Sequence, residues 1–274
     1  MPLAPAVPLV RWDDAGSLGV DVALTTRAGG ASAPPYDTLN LALHVGDRTE
    51  DVAVNRARAA AAFGVGLGDM VFARQVHGAG VATVGAGDRG RGTTDEDDAV
   101  PGADVLVTVE PGVTLAIMVA DCVPLALVDP AARVLAVVHA GWRGTAAGAV
   151  GAALAAMDAH GARRPRVHAF MGPAVAPERY QVDDEVRAGL AGAVGGELAP
   201  GVARPDGPGH WLVDLVAANR QHLLVGGVPA RHITACGATT ADDAFFSDRS
   251  RRPCGRFALL ARLVGEDGPS AGAP

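Results

Sequence analysis

The 274-residue sequence contains no lysine; all 23 of its basic residues are arginine. This excludes a lysine Schiff base and a lysine-dependent phosphate loop. Alongside abundant alanine and glycine, arginine in place of lysine reads as genomic base composition, so arginine richness alone carries no functional weight. Cysteine is scarce: Cys122, Cys236 and Cys254 are too few and too scattered for a disulfide framework. No apolar run reaches the roughly 18 residues of a membrane helix. The opening MPLAPAVPLVRW lacks a positively charged leader and is broken by prolines, so no signal peptide and no membrane partner are expected. A reduced cytoplasm is the expected compartment. Excess positive charge is also lacking: a net charge of −7 and a pI near 5.6 give no general attraction to nucleic acid.

What remains is an ordinary globular composition, 49% hydrophobic with a mean hydropathy of +0.21. No internal repeat or compositional break divides it. One domain over residues 9–264 is expected, with flexible tails at 1–8 and 265–274.

The chain is organised around Val113–Thr145, VTLAIMVADCVPLALVDPAARVLAVVHAGWRGT. Val113–Ala120, Val123–Val128 and Val134–Val138 are short apolar runs whose β-branched content favours buried strands. Asp129-Pro130 reads as the turn between the last two. If Val128 faces Arg133 across that turn, Cys122 falls opposite His139, with Cβ atoms roughly 4.5–5.5 Å apart.

Elsewhere, strands are expected at Val20–Thr26, Val71–His77, Val167–Met171, His232–Cys236 and Arg256–Leu263, and Asn40–Asp47 reads as a short extended segment. Helices are expected from an N-cap at Thr49 to Phe63, from an N-cap at Thr145 to His160, from near Val182, and over Leu212–Val225. Residues 85–103, with the acidic run Thr94–Asp98, and residues 193–210 read as solvated loops, and no ligand role is assigned to the acidic run. Gly141 and Gly144, Arg143 and the helix start at Thr145 together suit a phosphate or carboxylate.

His77, Cys122 and His139 are each expected at a strand end or edge. Cysteine with two histidines suits zinc with a fourth position open, an arrangement that lowers the pKa of bound water towards about 7. The spacing matches no zinc-finger or HExxH pattern. The residues alone therefore leave three readings open: a metal site, a metal-free nucleophile Cys122 activated by His139, or a structural cysteine with two unrelated histidines. The dinucleotide, phosphate-loop, nucleobase-deaminase and GxSxG signatures are missing.

Several blocks together resemble a known family. They are Thr26-Arg27-Ala-Gly-Gly with Tyr36 and Asn40-Leu, His44-Val-Gly-Asp with Asn55-Arg56, and Arg74-Gln-Val-His77-Gly. Then come Ala120-Asp121-Cys122-Val-Pro, His139-Ala-Gly-Trp-Arg143-Gly-Thr, Gly172-Pro, and Phe245-Phe-Ser-Asp-Arg with Gly255-Arg256. The combination is similar to the YfiH-like proteins, variously labelled laccase-domain polyphenol oxidases, purine nucleoside phosphorylases and peptidoglycan editing factors. That resemblance implies a single α/β (α+β) domain, a layered mixed β-sheet core covered by helices. It implies zinc on His77, Cys122 and His139, which would also be the catalytic residues, with copper the less favoured metal. The implied activity is broad phosphorolysis of adenosine, inosine, guanosine and S-methyl-5′-thioadenosine with adenosine deamination. Small-molecule partners, purine nucleosides and phosphate, follow, with Arg27, Asn40, Arg56, Arg143 and Thr145 as substrate contacts. The alternatives are a hydrolase of peptidoglycan precursors carrying a misplaced amino acid, a copper polyphenol oxidase, and a zinc-stabilised binding protein. Cys236-Gly237 and Asp248–Arg252 depart from the family pattern and bear on substrate choice.

Overall fold

The computed structural model describes residues 6–265; the outer parts of the two expected tails lie outside the described residues. In chain order the strands begin with β1 (Leu9–Arg11), β2 (Val20–Thr25), β3 (Met70–Arg74), β4 (Val81–Thr83) and β5 (Val100–Pro101). β6 (Val105–Thr108), β7 (Thr114–Val119), β8 (Val123–Asp129), β9 (Val134–Ala140) and β10 (His168–Met171) follow. The last are β11 (Gln181–Asp183), β12 (Ala203–Pro205), β13 (His210–Val213), β14 (Ile233–Ala235) and β15 (Phe257–Leu263). The helices are α1 (Thr49–Phe63), α2 (Trp142–Ala146), α3 (Ala149–Ala159), α4 (Asp184–Gly192) and α5 (Leu215–Val225).

Two six-stranded mixed sheets, ordered β1-β2-β15-β7-β3-β5 and β14-β10-β8-β9-β6-β4, pack face to face, and β11-β13-β12 form a small third sheet. Side-chain alternation builds the layers. In β7, Leu115, Ile117 and Val119 enter the core between the sheets, while Ala116 and Met118 face Ala59, Ala60 and Phe63 of α1. In β9, Leu135 and Val137 enter the same central core, while Val134, Ala136 and Val138 meet Val150, Leu154 and Met157 of α3. The result is a helix, sheet, sheet, helix stack. Both faces of each sheet are covered, and for that reason the strands read as unbroken apolar runs.

The topology brings the ends of three connections together. β3, β5 and β7 run parallel in the first sheet, and each passes at its C-terminal end into a strand of the second: β3 into β4, β5 into β6, β7 into β8. His77, Asp104 and Cys122 lie in these three connections. β9 runs antiparallel to β6 and β8 and so returns to the same end, carrying His139 on its penultimate residue.

Several sequence expectations are corrected. Asp129 ends β8 instead of starting the turn, and it faces Val134. Its side chain accepts from the N–H groups of Ala131 and Ala132, which moves the tip one residue along the chain. Pro124, not Cys122, is thus opposite His139, and Cys122 lies one residue beyond the last pair, Val123–Ala140. Val71–His77 stops as a strand at Arg74, and Asn40–Asp47 forms no strand. Residues 193–210 contain β12 and the first residue of β13, whose two partners leave α5 to start only after Asp214. Arg48, not Thr49, stands at the N-cap position of α1, and no side chain caps that end. The single helix expected from Thr145 to His160 is split: α2 begins at Trp142 behind Gly141, and Gly148, at φ 82°, interrupts the helix before α3.

Asn40, Arg56 and Thr145 are buried at 0%, 2% and 0% exposure. Asn40 accepts from the N–H groups of Ala42 and Arg256 and donates to Asp47. Arg56 donates to the carbonyls of Leu41, Gly92 and Thr93 and lies 4.0 Å from the Phe72 ring centroid. Burial pulls its pKa down to about 10, still well above neutrality, so the guanidinium stays charged. Arg56→Ala removes a buried charge and strands three carbonyls, for an expected loss of roughly 3 kcal/mol. Urea unfolding measures this, and metal content in the protein that remains folded is expected to be unchanged.

Candidate metal centre

His77 follows β3 at φ 59°, a left-handed conformation that is rare for a residue with a side chain. It is held there by one carboxylate. Asp104 is fully buried and accepts from the N–H groups of Val76 (3.2 Å), His77 (3.0 Å) and Gly78 (2.7 Å). The same carboxylate meets His139 Nδ1 at 2.7 Å. That contact makes Nδ1 a donor and leaves Nε2 as the ligating nitrogen. Asp104 thus sets the backbone of one ligand and the ring of another.

The Cys122 sulfur and one nitrogen from each of His77 and His139 lie within 4.8 Å of one another. Ligand bonds of about 2.0–2.3 Å let donors on opposite sides of an ion stand about 4.6 Å apart at most, so the trio is close to ligating spacing. The two imidazoles meet edge to face, with centroids 4.7 Å apart. His139 is buried, Cys122 half-buried and His77 exposed, so the group is closed on one side and open on the other. Among the described residues this is the one group of three or more such donors at ligating range.

The electrostatics suit a soft ligand set. Burial pushes the Cys122 thiol up, but the His139 charge and hydrogen bonds from both histidines bring it down to about 6. Burial pushes the His139 imidazole down, but the Cys122 thiolate and Asp104 raise it to about 9. A thiolate is therefore present at neutral pH, and a bound cation would take the place of the imidazolium proton. Thiolate with two imidazoles fits zinc or copper.

Gly141 supplies the space. It lies beyond Ala140, next to Cys122, and a Cβ there would stand 2.7 Å from the Cys122 sulfur and 3.3 Å from His77 Cδ2.

A cavity of about 910 Å³ opens on the three ligands. Gln75 lines it and fixes β3 to β7 by exchanging hydrogen bonds with the Met118 main chain at 2.8 and 2.9 Å. Arg143 lines it as well, its guanidinium 4.5 Å from the Trp142 ring. The other expected substrate residues are elsewhere. Arg27 pairs with Asp37 at 2.6 Å and lines a separate cavity of about 330 Å³. Asn40 and Arg56 serve the main chain as described, and Thr145 exchanges hydrogen bonds with Asn219 inside the core. Thr145 is the last residue but one of α2, so the helix start does not lie there. The acidic loop contributes Glu96 to the cavity, 3.4 Å from His44 Nδ1. The departure at Asp248–Arg252 also borders it. Asp104 and Tyr180 escaped the sequence reading, because isolated polar residues in connections carry no spacing signal; Gln75 entered it only as part of the Arg74–Gly78 block, with no role given.

Residues 21–264 match the family described as multi-copper polyphenol oxidoreductase laccase. The chain belongs to that family. Among its relatives, purine nucleoside phosphorylase YlmD from Geobacillus stearothermophilus is 42% identical over 237 residues, which cover 85% of this chain and 86% of that protein. The crystal structure of YlmD superposes with a TM-score of 0.86 at 40% identity over 89% of this chain and 92% of that one. That of the hypothetical protein YfiH from Bacillus licheniformis gives a TM-score of 0.87 at 32% identity over 96% and 98%. Adenosine deaminase RL5, from an unknown prokaryotic organism, is 36% identical over 250 residues, covering 89% of this chain and 94% of that protein. Among the described residues of this laccase-family chain, no helix is long and apolar enough to cross a membrane.

Two substitutions test the centre. Asp104→Asn keeps the shape but weakens the hold on the His139 ring and on the 76–78 main chain, and metal affinity should fall about 10- to 100-fold. Gly141→Ala puts a methyl group against the thiol and should lower metal occupancy with the fold intact. Chelator competition and elemental analysis read both outcomes; occupancy equal to wild type in both variants would contradict the assignment.

Proposed function

We propose that the chain, through one catalytic domain over residues 9–264, is a zinc-dependent purine nucleoside phosphorylase of broad specificity with adenosine deaminase activity. Its substrates would be adenosine, inosine, guanosine and S-methyl-5′-thioadenosine. The observation that carries the reading is the three-donor centre His77, Cys122 and His139 opening on a cavity of about 910 Å³ with arginine and aromatic walls. The names of the relatives, phosphorylase and adenosine deaminase, support it.

In phosphorolysis a phosphate oxygen bonds to C1′ of the ribose as the glycosidic bond breaks. The electron pair of that bond leaves with the purine, which takes up a proton. In deamination a water oxygen replaces the amino group at C6 and ammonia departs. Zinc, when bound, supplies a Lewis acid and an acidified water. The protein's own part is positioning and charge. Asp104 fixes the His139 tautomer and holds His77 in its turn. Arg143 offers a cation, resting on the Trp142 ring, for a phosphate oxygen, and Trp142 an apolar face for a base or sugar.

Copper polyphenol oxidation is less well supported, despite the family's description. Laccase chemistry uses several coppers and many histidines, whereas a single three-donor group stands together among the described residues.

Metal analysis and chromatography of adenosine incubated with phosphate test the reading on wild type and Cys122→Ala together. Wild type should hold about one zinc per chain and yield adenine and inosine. The variant should lose the metal and at least about a hundredfold in turnover. Zinc-loaded wild type that leaves every nucleoside intact would overturn the nucleoside reading and turn attention to peptidoglycan precursors.

A further inference from the structure

The sequence placed a phosphate site at the start of a helix at Thr145, and the structure removes it from there. Three other groups face the cavity without the partners such groups usually have. Arg143 has no hydrogen bond or ion pair from its side chain among the described residues. Arg249 also has no carboxylate partner there, its guanidinium making one long contact, 3.4 Å, to the Gln181 carbonyl. The Tyr180 hydroxyl has no hydrogen-bond partner among the described residues, although its ring is packed against the core. The remaining cavity arginines each have an acidic neighbour: Arg252 and Arg256 pair with Asp248, and looser contacts bring Arg251 to Asp37 at 3.9 Å and Arg74 to Asp97 at 3.7 Å.

The three groups come from different parts of the fold and line the same cavity as His77, Cys122 and His139. The Arg249 guanidinium lies 5.3 Å from the Tyr180 ring centroid. Burial and the Cys122 thiolate both push the Tyr180 phenol up, while Arg249 and Arg143 pull against them. The phenol therefore stays protonated and donates, and all of these groups are within electrostatic reach of it.

Arg249 is held in place by Asp121. This residue immediately precedes Cys122 and has φ 86°. Its carboxylate accepts from Thr240 Oγ1 (2.5 Å), Ser247 Oγ (2.8 Å) and the Arg249 N–H (2.6 Å). With three donors on it, the carboxylate is compensated, and it couples the 247–249 turn to the metal-ligand segment.

We propose that Arg143, Arg249 and the Tyr180 hydroxyl form a subsite for a phosphate dianion beside the metal centre, with Asp121 the positioning residue that sets Arg249. Two guanidinium groups without carboxylate partners among the described residues, and a neutral O–H donor, match a tetrahedral dianion, which needs charge compensation and several donors. The subsite deepens the phosphorylase reading and rests on it for its role, but not for its existence.

Calorimetric titration of inorganic phosphate into the zinc-loaded full chain tests it, alongside steady-state kinetics with phosphate varied. Arg143→Met and Arg249→Met should each weaken phosphate binding at least about tenfold, and Tyr180→Phe about fivefold. KM for phosphate should rise correspondingly, with zinc content retained. Arg249→Lys should restore part of the loss, as a point charge replaces the planar fork. Phosphate affinity indifferent to all three positions overturns the proposal, as does wild type that binds no phosphate. Binding that survives in the arginine variants but disappears in Cys122→Ala also overturns it, because the anion then sits on the metal. Phosphate binding that depends on both arginines, in protein that turns over no nucleoside, upholds the subsite and removes the phosphorylase reading alone.

Discussion

The carboxylate of Asp104 is the interaction on which the centre depends. It is fully buried, where an unpaired charge would be very unfavourable, and it is stabilised by three consecutive main-chain N–H groups and one imidazole. Burial raises its pKa, but the His139 contact and those N–H donors more than reverse the shift and keep it ionised. Because all of these donors converge on one small group, the 76–78 turn and the end of β9 cannot move independently. The left-handed backbone at His77 is tolerated for the same reason: the strain is local, and the hydrogen bonds that offset it are made only in that conformation.

The fold places Asp104 where it can do this. Three connections between the two sheets reach the same end because β3, β5 and β7 run parallel, and β9 returns there because it is antiparallel to its neighbours. Much of this was legible. The apolar runs gave β7, β8 and β9 nearly to the residue, and His77, Cys122 and His139, singled out by residue type, do come together as a group that could hold a metal. The hairpin register was read one residue too early, because sequence alone does not reveal that Asp129 caps the turn from within the strand. The error did little harm. Moving the tip by one residue along a loop of the same length shifts each pairing by an even step, so Cys122 and His139 still share a face. They meet diagonally, with Gly141 leaving room for the sulfur.

Other features were not legible, and for a common physical reason. A polar side chain has the same letter whether it serves a ligand or the main chain. Arg56, Asn40 and Thr145 fall within recognisable motifs, yet their polar atoms are taken by carbonyls, main-chain N–H groups and Asn219. Tyr180 shows the converse: nothing in its spacing marks it, and Arg249 entered the reading only within the Phe245–Arg249 block; that both face one cavity appears only when β11, the 247–249 turn and α2 are assembled around it. The split helix has a similar origin. The alanine-rich run favours one long helix, but only glycine takes φ 82° readily, and the turn at Gly148 lets α2 pack on α4 while α3 lies across β9.

The charge distribution follows from the same assembly. With a net charge of −7, the chain as a whole offers an anion no long-range attraction, and at physiological salt fields decay over about 8 Å. Any affinity for an anion must then come from charges at contact distance. The cavity wall meets that requirement: Asp248 pairs with Arg252 and Arg256, while Arg143 and Arg249 have no carboxylate partner among the described residues. A cation at His77, Cys122 and His139 would add to the local positive potential while the acidic exterior persists. A small dianion close to those three donors would feel the centre far more strongly than a charge held at the surface.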